Sequence, residues 1–123
     1  MSAERIPFKD MCAMFDVTPR TLRYYEYIEL LAPEREGRLR FYGPREIARM
    51  KLILRGRKFG FALEEIRQWL LIYDREGTEK QNRVWLDMAR KQLADLKQQQ
   101  EQLNETIDEL ETLMVEVTEN LPS

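Results

Sequence analysis

Residues 17–26 read Val-Thr-Pro-Arg-Thr-Leu-Arg-Tyr-Tyr-Glu, and they predict the start of a short helix with a cationic outer face. Thr18 is a favoured N-cap, and Pro19 suits the first helical position because that position needs no backbone N–H donor. The side chains that face outward or sideways are Arg20, Arg23 and Tyr24. Basic and phenolic groups on such a face suit contact with a phosphate backbone.

A first helix is predicted just before this one. Its apolar positions recur at i, i+3, i+4 and i+7, and they are Phe8, Met11, Cys12 and Phe15. Only a brief connection separates the two short helices. This arrangement is typical of a helix-turn-helix, whose second helix enters the major groove of DNA.

A small hairpin, or wing, is predicted after the second helix. Helical periodicity is lost over residues 28–42, and residues 38–42 alternate basic with apolar side chains, as expected for a strand. We place Leu30 and Leu31 on the opposite side of this hairpin. A basic third helix from Arg45 to about Phe59 and a fourth helix follow, giving a DNA-binding domain over residues 1–77.

The C-terminal segment, residues 78–123, carries a heptad repeat. Ten of its eleven a and d positions are apolar, which favours a coiled coil over an ordinary surface helix. A helix over about 40 residues would be roughly 60 Å long, so its apolar stripe needs a partner helix. We therefore predict a homodimer, in which Gln100, the one polar seam residue, fixes register. The seam residues are Leu86, Leu93, Leu96, Gln100, Leu103, Ile107, Leu110 and Met114.

Charge is distributed unevenly along the chain. The net charge is only -2, but residues 1–60 hold 13 Lys and Arg against 8 Asp and Glu, whereas residues 61–123 hold 7 against 14. A basic N-terminal half is consistent with nucleic-acid binding, and an acidic C-terminal half is not. The fold class expected from these patterns is mainly α, with one small β-hairpin.

Several classes of function are disfavoured. The chain has one cysteine and no histidine, so we expect no internal disulfide, no metal site and no cofactor. No nucleophile–base pair or phosphate-cradling glycine loop points to an enzyme. An apolar signal core and a membrane-length apolar run are both missing, so we expect no membrane association and a cytoplasmic protein.

The motif at residues 17–26, together with Arg40-Phe41-Tyr42 and Gly60-Phe61-Ala62-Leu63-Glu64-Glu65-Ile66, resembles the MerR family of bacterial transcription regulators. The resemblance implies a winged helix-turn-helix head, an antiparallel coiled-coil dimer, and promoter DNA and RNA polymerase as partners. It implies that the dimer bends and untwists an overlong promoter spacer. Residues 52–61 and 73–74 are further similar to the subgroup that controls leucine and isovalerate utilisation.

The resemblance also implies roles for single residues. Tyr24 matches a phosphate-contacting tyrosine, Arg40 a wing arginine, and Arg57 and Lys58 positions that touch the DNA backbone. Arg38 is a weaker candidate in the same wing. Arg20 and Arg23 are expected to reach a base edge or a phosphate, and Thr18 to cap its helix or to bind a phosphate.

Some interpretations remain open. The aromatic and thioether side chains near the junction with the long helix form either a hinge core or an effector pocket, for an acyl-coenzyme A or a branched-chain intermediate; they are Trp69, Tyr73, Trp85 and Met88. Cys12 is expected to fill the core. Two alternative functions are an architectural DNA-bending protein and a coiled-coil adaptor whose head binds protein.

Overall fold

The computed structural model describes residues 4–122, apart from the side chains of residues 73–76, and it is mainly helical with one small antiparallel sheet. In chain order the elements are β1 (Ile6–Pro7), α1 (Phe8–Phe15), α2 (Pro19–Tyr27), β2 (Glu34–Glu36), β3 (Leu39–Tyr42), α3 (Pro44–Phe59) and α4 (Leu63–Asn120). The predicted order of helices and hairpin is confirmed.

The turn between α1 and α2 is built from local sequence signals. Asp16 ends α1 in the left-handed region at φ 52°, a conformation that Asp tolerates better than most residues. Thr18 then caps α2, because its hydroxyl accepts a hydrogen bond from the Thr21 amide at 3.1 Å. Pro19 occupies the first position of the helix, as predicted.

The sheet has three strands in the order β1-β3-β2, so β3 is central. The prediction that Leu30 and Leu31 flank the hairpin is wrong. Both leucines are buried in the core, and the strand that pairs with β3 is Glu34–Glu36. Burying the two leucines in the core stabilises the fold more than leaving them exposed on a hairpin would. The Glu-Arg-Glu strand has no alternation of apolar and polar residues, so the sequence pattern does not reveal it.

The core of the head lies between α1, α2, α3 and the start of α4. Its fully buried side chains are Met11, Leu22, Leu30, Tyr42, Met50, Ile53 and Ile66. Gly56 lets α3 approach α4 closely, because a Cβ atom there would lie 2.9 Å from Ile66 Cδ1. Gly60 ends α3 at φ 94°, a left-handed conformation that glycine adopts readily.

The backbone of α4 departs from helical geometry at Gly77, with φ 83° and ψ −174°, which is the predicted end of the DNA-binding domain. The chain forms two compact units, one up to Asn82 and one from Arg83 onward. Inside the first unit, the Trp69 indole N–H donates to the Gln81 carbonyl oxygen at 3.0 Å. No helix among the described residues has the length and apolar character needed to cross a membrane.

Candidate nucleic-acid interface

The outer face of α2 presents the cationic and phenolic groups that the sequence predicts. Arg20, Arg23 and Tyr24 are all exposed, and Leu22 and Tyr25 of the same helix are buried. The two sets lie on opposite faces because a helix repeats every 3.6 residues. One face therefore anchors α2 in the core while the other stays available for DNA.

Thr18 at the start of α2 adopts the capping role, the first of its two predicted roles. Its hydroxyl oxygen accepts from the Thr21 amide and lies 3.0 Å from the Thr21 hydroxyl. The side chain is exposed, so a phosphate contact by Thr18 stays a prediction.

Arg40 of the wing forms an ion pair with Glu26 of helix α2. Its Nε lies 3.1 Å from Glu26 Oε1, and the Glu26 side chain is only 6% exposed. The Tyr42 hydroxyl donates to the other carboxylate oxygen of Glu26. Burial, and next the Glu26 carboxylate, raise the pKa of Tyr42 far above its ordinary value, so this hydroxyl stays a donor.

Phe8 joins the two arginines from a third element. The guanidinium carbon of Arg23 lies 5.5 Å from the centre of the Phe8 ring, and that of Arg40 lies 5.6 Å from it. Both distances suit cation–π attraction. One aromatic ring of α1 thus contacts the predicted DNA-binding arginine of α2 and that of the wing.

The wing carries a further arginine anchor at its outer strand. Arg5 forms ion pairs of 2.8 Å with Glu34 and 2.5 Å with Glu36, and its guanidinium lies 4.1 Å above the Phe41 ring. The two carboxylates raise the pKa of Arg5. Arg38 follows Gly37 at the exposed turn of the hairpin, where φ of Gly37 is 61°.

The end of α3 holds the last two predicted contacts. Arg57 is exposed, but its Nη1 donates to the Phe61 carbonyl oxygen at 3.0 Å, so this side chain also fixes the turn into α4. Lys58 is exposed. Within the described part of the chain, no carboxylate lies within 4 Å of the charged groups of Arg20, Arg38 or Lys58.

The predicted seam is exposed in the single chain. Its large apolar side chains are between 42% and 60% exposed, and they are Leu86, Leu93, Leu96, Leu103, Ile107, Leu110 and Met114. Gln100 is exposed as well. A continuous apolar stripe of this length is unusual on the surface of a monomeric protein.

The residues of the predicted effector pocket fall in both compact units. Trp69 lies in the first, half-buried, and Trp85 and Met88 lie in the second, while the side chain of Tyr73 is outside the described residues. The pocket stays a prediction. Burial raises the pKa of half-buried Cys12, which disfavours a reactive thiolate. No cluster of three metal-ligating side chains occurs among the residues described.

Comparison with known proteins assigns these features to one family. Residues 7–71 match the family model described as MerR HTH family regulatory protein, and residues 47–113 match the model described as MerR, DNA binding. The chain belongs to the MerR family. It is a DNA-binding transcription regulator, and its relatives are transcription regulators rather than enzymes.

Individual relatives agree with this assignment. The chain is 33% identical over 96 residues to the HTH-type transcriptional regulator HmrR of Rhizobium leguminosarum bv. viciae, covering 77% of this chain and 73% of the relative. It is 40% identical over 65 residues to ZntR of Escherichia coli strain K12, covering 51% of this chain and 46% of ZntR. The crystal structure of a MerR-family regulator from Bacillus cereus matches with a TM-score of 0.76 and 25% identity, over 98% of this chain and 87% of that one.

Three residues of this MerR-family head are missing from the sequence-based site. Glu26 lies inside the quoted motif, but its spacing alone does not reveal a wing partner 14 residues away. Phe8 is counted by its periodicity as core, although it also contacts two arginines. Arg5 precedes every recognised element, and its partners lie 29 and 31 residues further along the chain.

Proposed function

We propose that this regulator acts as a homodimer that binds a pseudo-palindromic promoter element and bends and untwists the DNA spacer between the two half-sites. The observation that carries the proposal is the exposed cationic face of α2 beside an arginine-bearing wing. A winged helix-turn-helix places its second helix in the major groove. Deforming the spacer costs a few kcal/mol by elastic estimates, and backbone contacts repay that cost.

Dimerisation through the second compact unit is supported by two observations. The seam side chains are largely exposed in the single chain, and the unit from Arg83 onward is one helix with little of its own to pack against them. A second copy would bury the stripe on both chains at once. We propose an antiparallel coiled coil, with RNA polymerase reading the promoter that the dimer deforms.

The predicted contact residues divide into two groups on chemical grounds. The cations and phenol of the head suit phosphate or base-edge contacts, and all are exposed except Arg40, whose side chain is 27% exposed. They are Arg20, Arg23, Tyr24, Arg38, Arg40, Arg57 and Lys58. Arginine fits a guanine edge bidentately, whereas lysine acts on phosphate as a point charge. We expect Arg20 and Arg23, on the recognition helix, to carry base discrimination, and the others to set affinity.

We also propose which genes the regulator controls and which class of small molecule it senses. The segment 52–61 supports control of branched-chain amino acid or acyl-coenzyme A catabolism, with a pathway intermediate as effector. A thermal-shift screen of acyl-coenzyme A thioesters tests this, because a ligand that binds only the folded state raises the melting temperature. A flat response across the series would remove the effector proposal and leave the DNA-binding proposal intact.

The experiment for DNA binding starts with selection of duplexes from a random-sequence library by the purified protein. The selected duplex is then used in footprinting and fluorescence anisotropy against a scrambled duplex. We expect one symmetric footprint and a large preference for the selected duplex. Equal affinity for both duplexes would instead indicate an architectural protein.

A matched pair of variants separates specific contact from bulk charge. Arg23→Ala removes one positive charge from α2, and Arg90→Ala removes one from the second unit, where the arginine is mostly exposed. Arg23→Ala should weaken binding and reduce discrimination, whereas Arg90→Ala should leave both nearly unchanged. Equal losses in both variants would contradict a specific role for the recognition helix.

A further inference from the structure

We propose that Glu26 is a positioning residue for DNA binding, which holds Arg40 of the wing in register with the recognition helix α2. The proposal rests on the DNA-binding function described above. Glu26 is an acid in the motif of a DNA-binding helix, where a negative charge by itself repels phosphate. Its near-complete burial between two wing side chains explains why the helix carries it.

The geometry gives each carboxylate oxygen of Glu26 a different task. Oε2 accepts from the Tyr42 hydroxyl, which anchors the end of β3 in the core. Oε1 lies 3.1 Å from Arg40 Nε, two residues earlier on the same strand. Residues two apart on a strand point to the same face, so one carboxylate contacts both.

The contact through Nε leaves the distal part of Arg40 available. A guanidinium has five N–H donors. The contact with Glu26 is an ion pair at the Nε side, and the Nε–H itself makes no hydrogen bond among the described residues. The side chain is 27% exposed, which fits a group whose base is held and whose end is accessible. The Phe8 ring gives Arg40 a second contact, at 5.6 Å from the guanidinium carbon to the ring centre.

Arg23 takes part in the same arrangement. It contacts the same Phe8 ring at 5.5 Å, so the arginine of α2 and the arginine of the wing share one aromatic support. Orienting both side chains before DNA arrives lowers the entropy lost on binding. Glu26 therefore raises affinity through Arg40, although its own charge opposes DNA.

The test uses Glu26→Gln, which keeps an acceptor for the Tyr42 hydroxyl and removes the charge that holds Arg40. Affinity for the selected duplex is measured by fluorescence anisotropy over a range of salt concentrations. Simple removal of an acid would tighten binding. We expect Glu26→Gln to weaken it by about fivefold, and to lower the salt slope by about one unit, as loss of a phosphate contact does.

Glu29→Gln is the matched control. Glu29 lies three residues away, is largely exposed, and reaches Arg67 only at 3.7 Å. The same charge change at Glu29 should leave affinity unchanged or slightly raised. Weaker binding in both variants would contradict a role specific to Glu26.

A double-mutant cycle with Arg40→Ala decides whether Glu26 acts through Arg40. We expect the double variant to bind within about twofold of Arg40→Ala alone, because coupled residues are not additive. Tyr42→Phe loses the other Glu26 contact but leaves the pair with Arg40, and it should bind DNA nearly as wild type does. Additive losses in the cycle, or an equal loss in Tyr42→Phe, would reduce Glu26 to a structural role and overturn the proposal.

Failure of the wider function has a different signature. If the wild-type protein selects no duplex, both the proposed function and the role of Glu26 fall together. If wild type binds its duplex and Glu26→Gln binds it equally well or more tightly, only the positioning role is refuted.

Discussion

Leu103→Ala tests whether the exposed stripe of the second unit is a dimer seam. Leu103 stands near the middle of the stripe and is 60% exposed in the single chain. Full burial of a leucine contributes roughly 1.5–3 kcal/mol, so covering the exposed part gives about 1–2 kcal/mol for each copy. The substitution occurs twice in a homodimer, so the dimer should lose about 2–4 kcal/mol.

Each 1.4 kcal/mol corresponds to a tenfold change, so the dissociation constant of the dimer should rise roughly 30-fold to several hundred-fold. Sedimentation velocity across a dilution series measures this constant directly. Helix propensity does not explain the loss, because alanine is the better helix former. Circular dichroism of concentrated samples, where the dimer persists, should therefore show an unchanged helix content.

Val115→Ala is the control for this experiment. Val115 is 56% exposed on the same helix, but it falls at heptad position b, away from the seam. The Val115→Ala dimer should have the same dissociation constant as the wild-type dimer. The reasoning is refuted if wild type sediments as a monomer at micromolar concentration, or if Leu103→Ala and Val115→Ala behave alike.

Three further predictions concern the head, each measured by urea denaturation. Gly56→Val should lower the free energy of unfolding by about 1–3 kcal/mol, because even a Cβ would lie 2.9 Å from Ile66 Cδ1 in a packed core. An unchanged free energy of unfolding would show that α4 shifts to accept the larger side chain at no cost. Thr18→Ala should cost about 1 kcal/mol through loss of the cap to the Thr21 amide, whereas Thr18→Ser should restore it; equal stability of both variants would contradict the cap. The raised pKa of Tyr42 stabilises the fold below the ordinary phenol pKa, and this contribution is lost as pH rises above about 10, at up to about 1.4 kcal/mol per pH unit. Tyr42→Phe should abolish the part of the stability loss above pH 10 that comes from Tyr42. Identical profiles of unfolding free energy against pH for wild type and Tyr42→Phe would contradict this prediction.

Local signals explain why the helices of the head are predictable from sequence. Thr18 and Pro19 mark the start of α2, and Gly60 marks the end of α3, each through a backbone requirement satisfied within a few residues. The amphipathic spacing then places Leu22 in the core without reference to any distant residue. The exposed apolar stripe of the long helix is predictable for the same reason, and its role as a dimer seam stays a prediction.

Contacts between distant residues account for what sequence could not give. β2 is a strand because it pairs with β3, and its Glu-Arg-Glu sequence has no strand propensity to reveal it. The pair of Arg40 with Glu26 depends on how the wing folds against α2. A sequence pattern therefore identifies Arg40 as a candidate contact but not the acid that holds it.

Pairing also changes the meaning of the charge pattern on the wing. By its sequence alone, β2 has a net negative charge, with Glu34 and Glu36 on either side of Arg35, and such a strand is unsuited to DNA. In the structure Arg5 forms ion pairs with both carboxylates, and its single positive charge offsets one of their two negative charges. No carboxylate among the described residues lies within 4 Å of the charged groups of Arg35 and Arg38. Three arginines against two glutamates leave a net charge of +1 on this part of the wing, so the charge that remains after internal pairing favours a phosphate backbone.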